Sequence, residues 1–264
     1  RCGAPCDWFN FSDLDNPNIN HEQYKLYIFP NQFKLDPYKL KFIKENLEKA
    51  GKTILWIYAP GIIADDKFEP LNVAKTVGLE IEEQEELETT IKTLQKDILN
   101  KIPECEFGWS DKALSPTFRI NDPQAVVLGH FKESNNPAFA YRSFTDYSVF
   151  YSAAGDIPYQ VLREIARYAG VHIYHEGRNP VYVNSRLIGI HAVNTKHIEI
   201  NLPCEVEVEE LFSHEKYFGV KELSAASQKK RDAGEEAVLA RTLTMGFPCL
   251  EKNQWTSAKV LSLT

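Results

Sequence analysis

The place in this chain where chemistry is most expected is the end of an apolar strand. In ILWIYAPGIIADD, Ile54 to Asp66, a run rich in aromatic and β-branched residues stops at Pro60-Gly61 and opens toward Asp65 and Asp66. In an open α/β sheet such a strand end delivers a ligand or a catalytic residue. A phosphate-binding turn needs closely spaced glycines, so that backbone N–H groups reach the anion, with a lysine or hydroxyl beside them. Gly61 stands alone before Ile62 and Ile63, and the two aspartates repel phosphate. A nucleophile elbow needs Ser or Cys among small residues on the turn after a strand. Pro60 and Gly61 hold that turn and carry no nucleophile.

The other candidates fare no better. Ser152 in YSAAG sits among small residues but lacks the glycine two positions before it. The five cysteines, Cys2, Cys6, Cys105, Cys204 and Cys249, are odd in number and scattered, which is not a disulfide framework. Cys2 and Cys6 lie close together, yet no second close pair completes a four-ligand zinc set, so the cysteines read as small buried or free thiols. His172 and His175, three apart on an expected strand, point to opposite faces and cannot share an ion. His191 in LIGIHAV reads as a hydrogen-bonded core or surface histidine. Glycoside chemistry needs two carboxyl groups facing each other across a cleft. Asp13 and Asp15 in FNFSDLDNP lie near aromatic residues and have the most sugar-like surroundings, although an N-terminal packed loop is the preferred reading. Asn10-Phe11-Ser12 also satisfies the N-glycosylation sequon. No residue is assigned a catalytic, cofactor-binding or metal-binding role.

The elements that would position these residues follow from periodicity. YKLYIFP (24–30) reads as a buried strand, and Asp36 and Pro37 supply an N-cap and a first-turn proline. Leu40, Ile43, Leu47 and Ala50 then share one helical face, with Gly51 as terminator. TILWIYAP follows as a strand, completing a βαβ unit. A second helix is expected at 69–78, and within 79–116 a strand and then a helix near 88–100, its glutamates forming a solvated face. AVVLGHF (125–131), AFAYRSF (138–144) and SVFYSAAG (148–155) are strands. A helix starting at Pro158, with Val161, Leu162, Ile165, Ala166 and Ala169 as its stripe, and the strand VHIYHEG give a second βαβ unit. After Gly177, PVYVN, LIGIHAV, HIEINLP and CEVEVEELF alternate with period two and no helix between them, an antiparallel meander. SQKKRDAGEEAVLAR is a short helix or exposed loop, and VLSLT a closing strand.

Bulk properties narrow the function classes. At 264 residues the chain has room for one large or two modest domains, burying roughly 70% of its unfolded surface. A content of 43% hydrophobic and 25% charged residues is that of a globular protein. The net charge of −7 argues against nucleic-acid and anionic-membrane partners. No apolar run approaches the roughly 20 residues that cross a bilayer, and the first residues carry no signal-peptide pattern. The chain starts at Arg1 and its only methionine is Met245, which fits a processed chain or, better, a piece of something longer.

YKLYIFPNQFKLD, GKTILWIYAPGII, LREIARYAGVHIY and YVNSRLIGIHAV with INLP resemble the C-terminal half of β-galactosidase-like glycoside hydrolases related to family 42. The resemblance runs from about Tyr24 to Phe212 and lies in strand and turn patterns more than in catalytic signatures. It implies a flavodoxin-like, class I glutamine amidotransferase-like α/β domain, a parallel sheet with helices on both faces, known in that family as the trimerisation domain. A small antiparallel β domain would follow. It also implies that the amidotransferase cysteine is absent, consistent with the empty turn at Pro60-Gly61. The family's acid and nucleophile glutamates sit on strands of a (β/α)8 barrel. The strands here give five or six parallel strands at most, so none of those glutamates carries over.

The expected organisation is an N-terminal extension over 1–23, the amidotransferase-like domain over 24–177, and the antiparallel domain with its tail over 178–264. The expected function is a non-catalytic accessory and oligomerisation module of a β-galactosidase-like enzyme. Its partners would be the parent's barrel and further copies of itself, with a trimer as the candidate assembly, carbohydrate as a candidate ligand and no cofactor. One alternative is a carbohydrate-binding module, motivated by Trp8, Trp56, Trp109 and Trp255; the other is an independent hydrolase or amidotransferase-like enzyme with an unrecognised nucleophile.

Overall fold

The computed structural model describes residues 2–94, 98, 104–109, 114–184, 186–191, 197–211, 214–226, 240–245 and 257–262. The chain divides into two compact units: Cys6–Ala169 with Ala258–Thr264, called here the first unit, and Arg1–Pro5 with Gly170–Ser257, the second.

The first unit opens with β1 (Cys6–Asn10) and β2 (Tyr24–Pro30), followed by α1 (Pro37–Asn46) and β3 (Lys52–Ile57). The helix starts as its residues dictate. The Asp36 side chain accepts from the Lys39 N–H at 2.8 Å, and Pro37 occupies the first turn, where its missing N–H costs nothing. Ile43 and Leu47 are fully buried on its inner face. The helix ends at Asn46, earlier than the expected Gly51, and Ala50 and Gly51 take left-handed conformations (φ 56° and 70°) in the turn into β3. All six residues of β3 are buried, as a strand covered on both faces requires. Lys52, at its start, donates from Nζ to the carbonyls of His21 (3.0 Å) and Tyr24 (3.2 Å), and burial lowers its pKa.

Next come β4 (Ile63–Ala64), β5 (Lys67–Phe68) and α2 (Leu71–Val77), the last closed by Gly78 at φ 79°. Then follow β6 (Ile81–Gln84), β7 (Thr90–Thr93), β8 (Glu106–Gly108), β9 (Thr117–Ile120), β10 (Val126–Phe131), β11 (Pro137–Ser143), β12 (Tyr147–Ser152) and α3 (Tyr159–Tyr168). The helix expected near 88–100 is replaced at its start by β7. Thr90, Ile91 and Thr93 are β-branched, and that composition favours an extended backbone; 95–97 and 99–100 lie outside the described residues.

The second unit contains β13 (Val181–Val183), β14 (Leu187–His191), β15 (His197–Glu210), β16 (Lys216–Ala226) and β17 (Ala240–Met245). They form one sheet in the order β13-β14-β17-β15-β16, with every adjacent pair antiparallel. Two strands expected separately, HIEINLP and CEVEVEELF, are the single strand β15, with register shifts against β16 after Asn201 and Val206. Ile188, Ile190, Ile198, Ile200, Leu202, Val206, Val208, Leu223 and Tyr174 make this unit's core. Cys204 is disulfide-bonded, which corrects the reading of all five cysteines as thiols. Cys249 and most of the helix or loop expected at 227–241 lie outside the described residues.

The expected strand VHIYHEG is not a strand. The imidazoles of His172 and His175 take the carbonyls of Asn201 and Glu199, both at 2.8 Å, and the Tyr174 N–H donates to the Gly3 carbonyl at 2.8 Å. Side chains thus occupy acceptors that a ladder's N–H groups would use. Gly3 (φ 84°) must be glycine, since a Cβ there would stand 1.8 Å from the His175 carbonyl oxygen.

β18 (Ser257–Ser262) returns to the first unit and pairs parallel with β1. The resulting nine-stranded sheet has the order β1-β18-β2-β3-β12-β11-β10-β7-β8. β2, β3 and β12 run parallel; β11, β10, β7 and β8 are antiparallel. The flavodoxin-like parallel sheet with helices on both faces is therefore corrected to a mixed, mostly β architecture. Among the described residues only three α-helices occur. The reason lies in the connections. The loops between β10 and β11 and between β11 and β12 are a few residues long, whereas a parallel crossover needs a dozen or more. Among the described residues, β2–α1–β3 is the expected βαβ unit that forms. The second expected unit fails because 171–177 is not a strand, and the next strand, β13, belongs to the other sheet.

The core of the first unit is aromatic: Trp56, Tyr24, Tyr27, Tyr151, Phe29, Phe118, Phe131, Phe139 and Phe150 are fully buried. Trp56 stacks on Phe29, centroids 4.2 Å apart and planes 19° apart. Burying each such ring is worth about 1.5–3 kcal/mol, and a good ring pair adds about 0.5–1.5 kcal/mol.

Candidate functional site

The C-terminal ends of β2, β3 and β12 lie side by side, and strained backbone gathers there. Asn31, Tyr58 and Asp156 follow these strands with φ of 51°, 67° and 52°. For a bulky residue such as Tyr58 this conformation is uncommon, and residues held this way concentrate at catalytic turns. The elbow position of the opening stretch is thus Tyr58, two residues before the turn at Pro60-Gly61 that the sequence suggested.

The surroundings hold Tyr58 in place. Its N–H donates to the Ser152 carbonyl at 2.7 Å, extending the parallel ladder by one rung. Its carbonyl accepts from the Tyr151 hydroxyl at 2.6 Å, and its own hydroxyl donates to the Pro116 carbonyl at 2.9 Å. The ring meets Phe33, Trp109 and Phe118 at centroid distances of 5.8, 5.3 and 6.3 Å. Trp109 in turn lies over Gly155, where a Cβ would come within 2.2 Å of the indole. Burial pushes the Tyr58 hydroxyl above its ordinary pKa and that of Tyr151 well above it. A nucleophile needs the opposite shift and an adjacent base. The elbow is filled with aromatic bulk, and its one hydroxyl is a protonated donor to a carbonyl.

The rest of the opening stretch is structural. Gly61 (φ 72°) lets α2 approach closely, since a Cβ would stand 2.3 Å from Thr76 Oγ1. Asp65 and Asp66 are the two central residues of the β4–β5 hairpin turn, both with positive φ, as a type I′ turn requires. Asp66 pairs with Lys34 at 2.6 Å, and both side chains are exposed.

The remaining candidates are dispersed. Ser152 is buried and its Oγ donates to the Ala154 carbonyl at 2.7 Å. Asp15 is engaged by Lys39, whose hydrogen bond lowers the carboxyl's pKa, and Asp13 is exposed. His175 is buried between the Glu199 carbonyl and the Asn179 amide, 2.9 Å away. His191 is exposed at the end of β14. Among the described residues no group of three or more His, Cys, Asp or Glu is arranged to hold a metal ion. In the acidic run 80–88, Glu82 binds its cross-strand partner Arg119 and also Asn121, and Glu88 accepts from the loop N–H groups of Glu133 and Ser134 at 3.1 Å. Trp56 is core and Trp109 part of the plug, while Trp8 is 66% exposed and Trp255 lies outside the described residues. Sequence reasoning passed over Tyr58 because nothing in the residue type announces a left-handed backbone.

No family model matches this chain, and no curated protein matches it. Solved structures do. A β-galactosidase from Bacillus circulans sp. alkalophilus aligns over 84% of this chain and 33% of its own, with a TM-score of 0.58 and 14% identity. A GH42 β-galactosidase from G. stearothermophilus, as a catalytic mutant, aligns over 84% and 32% (TM-score 0.54, 16% identity). A cold-adapted β-galactosidase from Rahnella sp. R3 aligns over 86% and 33% (TM-score 0.55, 13% identity). At these identities the likeness is one of fold, and the chain spans about a third of the length of each.

Proposed function

We propose that this chain is a non-catalytic accessory and assembly module of a glycoside hydrolase resembling the family 42 β-galactosidases. The observation that carries the reading is the plugged elbow: the strand end where a parallel sheet would present a catalytic residue is occupied by Tyr58, packed against Trp109 and Phe118. The fold likeness to about a third of several β-galactosidases supports it. Catalysis is assigned to a (β/α)8 barrel of the same parent protein, since the sheets of the described residues are open or small and none is an eight-stranded barrel.

The assembly part of the reading is motivated by Phe68 and Leu71, 61% and 75% exposed beside the β4–β5 hairpin. Exposed apolar side chains so close together suit a protein contact, either with another copy or with the barrel.

Two measurements test this. The isolated chain is expected not to hydrolyse a nitrophenyl galactoside; turnover that survives stringent purification contradicts the accessory role. Light scattering on the same chain is expected to show self-association that a Phe68→Ser, Leu71→Ser double variant weakens. A strict monomer at high concentration removes the oligomerisation part.

A further inference from the structure

The second unit carries a cavity of about 380 Å³ on its β13–β14 hairpin, lined among others by Tyr182, Asn184, Leu187, Gly189 and His191. That size falls within the roughly 300–1,000 Å³ of small-molecule sites. Strand alternation explains its floor. Ile188 and Ile190 point into the core, so Leu187, Gly189 and His191 face outward, and Tyr182 is the cross-strand partner of Gly189. An aromatic opposite a strand glycine commonly shields it. Tyr182 does not simply do that: it keeps 67% exposure, among the highest of the large apolar side chains.

We propose that this hairpin binds the ring of a neutral saccharide, with Tyr182 as the stacking platform and the side-chain-free surface of Gly189 making room for it. The chemistry of the lining selects the class of ligand. Among the described residues no Asp, Glu, Lys or Arg side chain lines the cavity, so none of them offers an ionic ligand a counter-charge. One face of a pyranose presents C–H groups with partial positive charge, which match the negative face of an aromatic ring. The sugar hydroxyls at the rim need fixed polar partners. Asn184 Oδ1 accepts from the N–H groups of Arg186 and Leu187, both at 2.9 Å, which locks the side chain and leaves its NH2 end as a donor. His191 and the Tyr182 hydroxyl supply the other polar atoms. The site lies wholly in the second unit and does not depend on the accessory-module reading, which concerns the first.

Saturation-transfer NMR on the full chain with methyl β-D-galactopyranoside and methyl β-D-glucopyranoside at millimolar concentration tests the site. Transfer is expected to be strongest to the C–H protons of one pyranose face. Tyr182→Ala should weaken binding about tenfold, roughly what one stacked ring supplies, while Tyr182→Phe retains it. Gly189→Val should weaken it comparably by filling the floor. A Cβ at Gly189 meets nothing nearer than the Tyr182 Cβ at 3.9 Å, so the backbone leaves room for a side chain to start there, and circular dichroism of the variant checks that it folds. Trp8→Ala, at the exposed aromatic of the first unit, should leave binding unchanged. No transfer to either sugar, binding that survives both Tyr182→Ala and Gly189→Val, or binding removed by Trp8→Ala would each overturn the proposal. Hydrolysis of a nitrophenyl galactoside by the same chain would overturn only the accessory reading.

Discussion

The two units use tyrosine in opposite ways. In the first, Tyr58 is forced into a left-handed backbone, stripped of water and wedged among Phe33, Trp109 and Phe118, so that a strand end suited to chemistry is sealed. In the second, Tyr182 stands on a regular strand, opposite a glycine and open to solvent. The lesson is that composition does not distinguish a plug from a platform. The backbone around the ring decides, and it leaves little trace in residue type.

The comparison breaks first at Tyr58. Tyr58→Ala deletes the ring and the hydrogen bond to Pro116 while keeping a side chain at positive φ, and it should cost about 3–5 kcal/mol in denaturant unfolding. Tyr58→Gly loses the same contacts but relieves the left-handed strain, so it should be about 1 kcal/mol more stable than the alanine variant. In ordinary strand or helix interiors glycine is the less stable of the two. If alanine proves the more stable variant here, the strain at the elbow is not real.

How far the sequence could reveal this architecture differs between the units for the same reason. Local signals were legible: Asp36 and Pro37 start α1, the unbroken apolar run gives β3, and alternation in LIGIHAV gives β14. Pairing was less so. The buried strands β10 to β12 look like parallel-sheet strands in composition, and only their short connections betray antiparallel hairpins. The plug was invisible because Trp109 and Phe118 come from segments distant in sequence from Tyr58. His172 and His175 misled because alternation assumes a strand, whereas their rings had replaced the ladder.

The next effect falls on the second unit. Its core is mostly aliphatic side chains of one sheet, joined by Tyr174, and its strand β15 carries the disulfide-bonded Cys204. Reduction should cost about 2–4 kcal/mol. Hydrogen exchange should show it as faster exchange of amides in β15 and β16, with β3 in the first unit unchanged. Equal loss of protection in β3 would mean that the two units do not differ in what holds them.

The smallest effect sharpens the comparison by pH. Glu48, in the turn after α1, has its carboxyl pKa raised, mainly by burial, with the Tyr147 hydrogen bond opposing the shift. For an acid whose folded pKa lies above its unfolded value, the folded state binds the extra proton. Stability therefore falls as pH rises from the ordinary carboxylate range through the raised value, and stays lower above it. Asp15, Asp66 and Glu82 are shifted the other way by Lys39, Lys34 and Arg119, and their contributions are lost on acidification, but Asp66 and Glu82 are exposed and screened and Asp15 is only half-buried. Glu48→Gln removes only the first slope: the variant should match the parent below the carboxylate range and exceed it at neutral pH. A second readout tests the cause. Tyr147, raised to about 12 by burial and then by the Glu48 charge, should titrate nearer its ordinary value in the variant. If unfolding of parent and variant runs parallel at every pH, Glu48 does not set the pH response of the first unit.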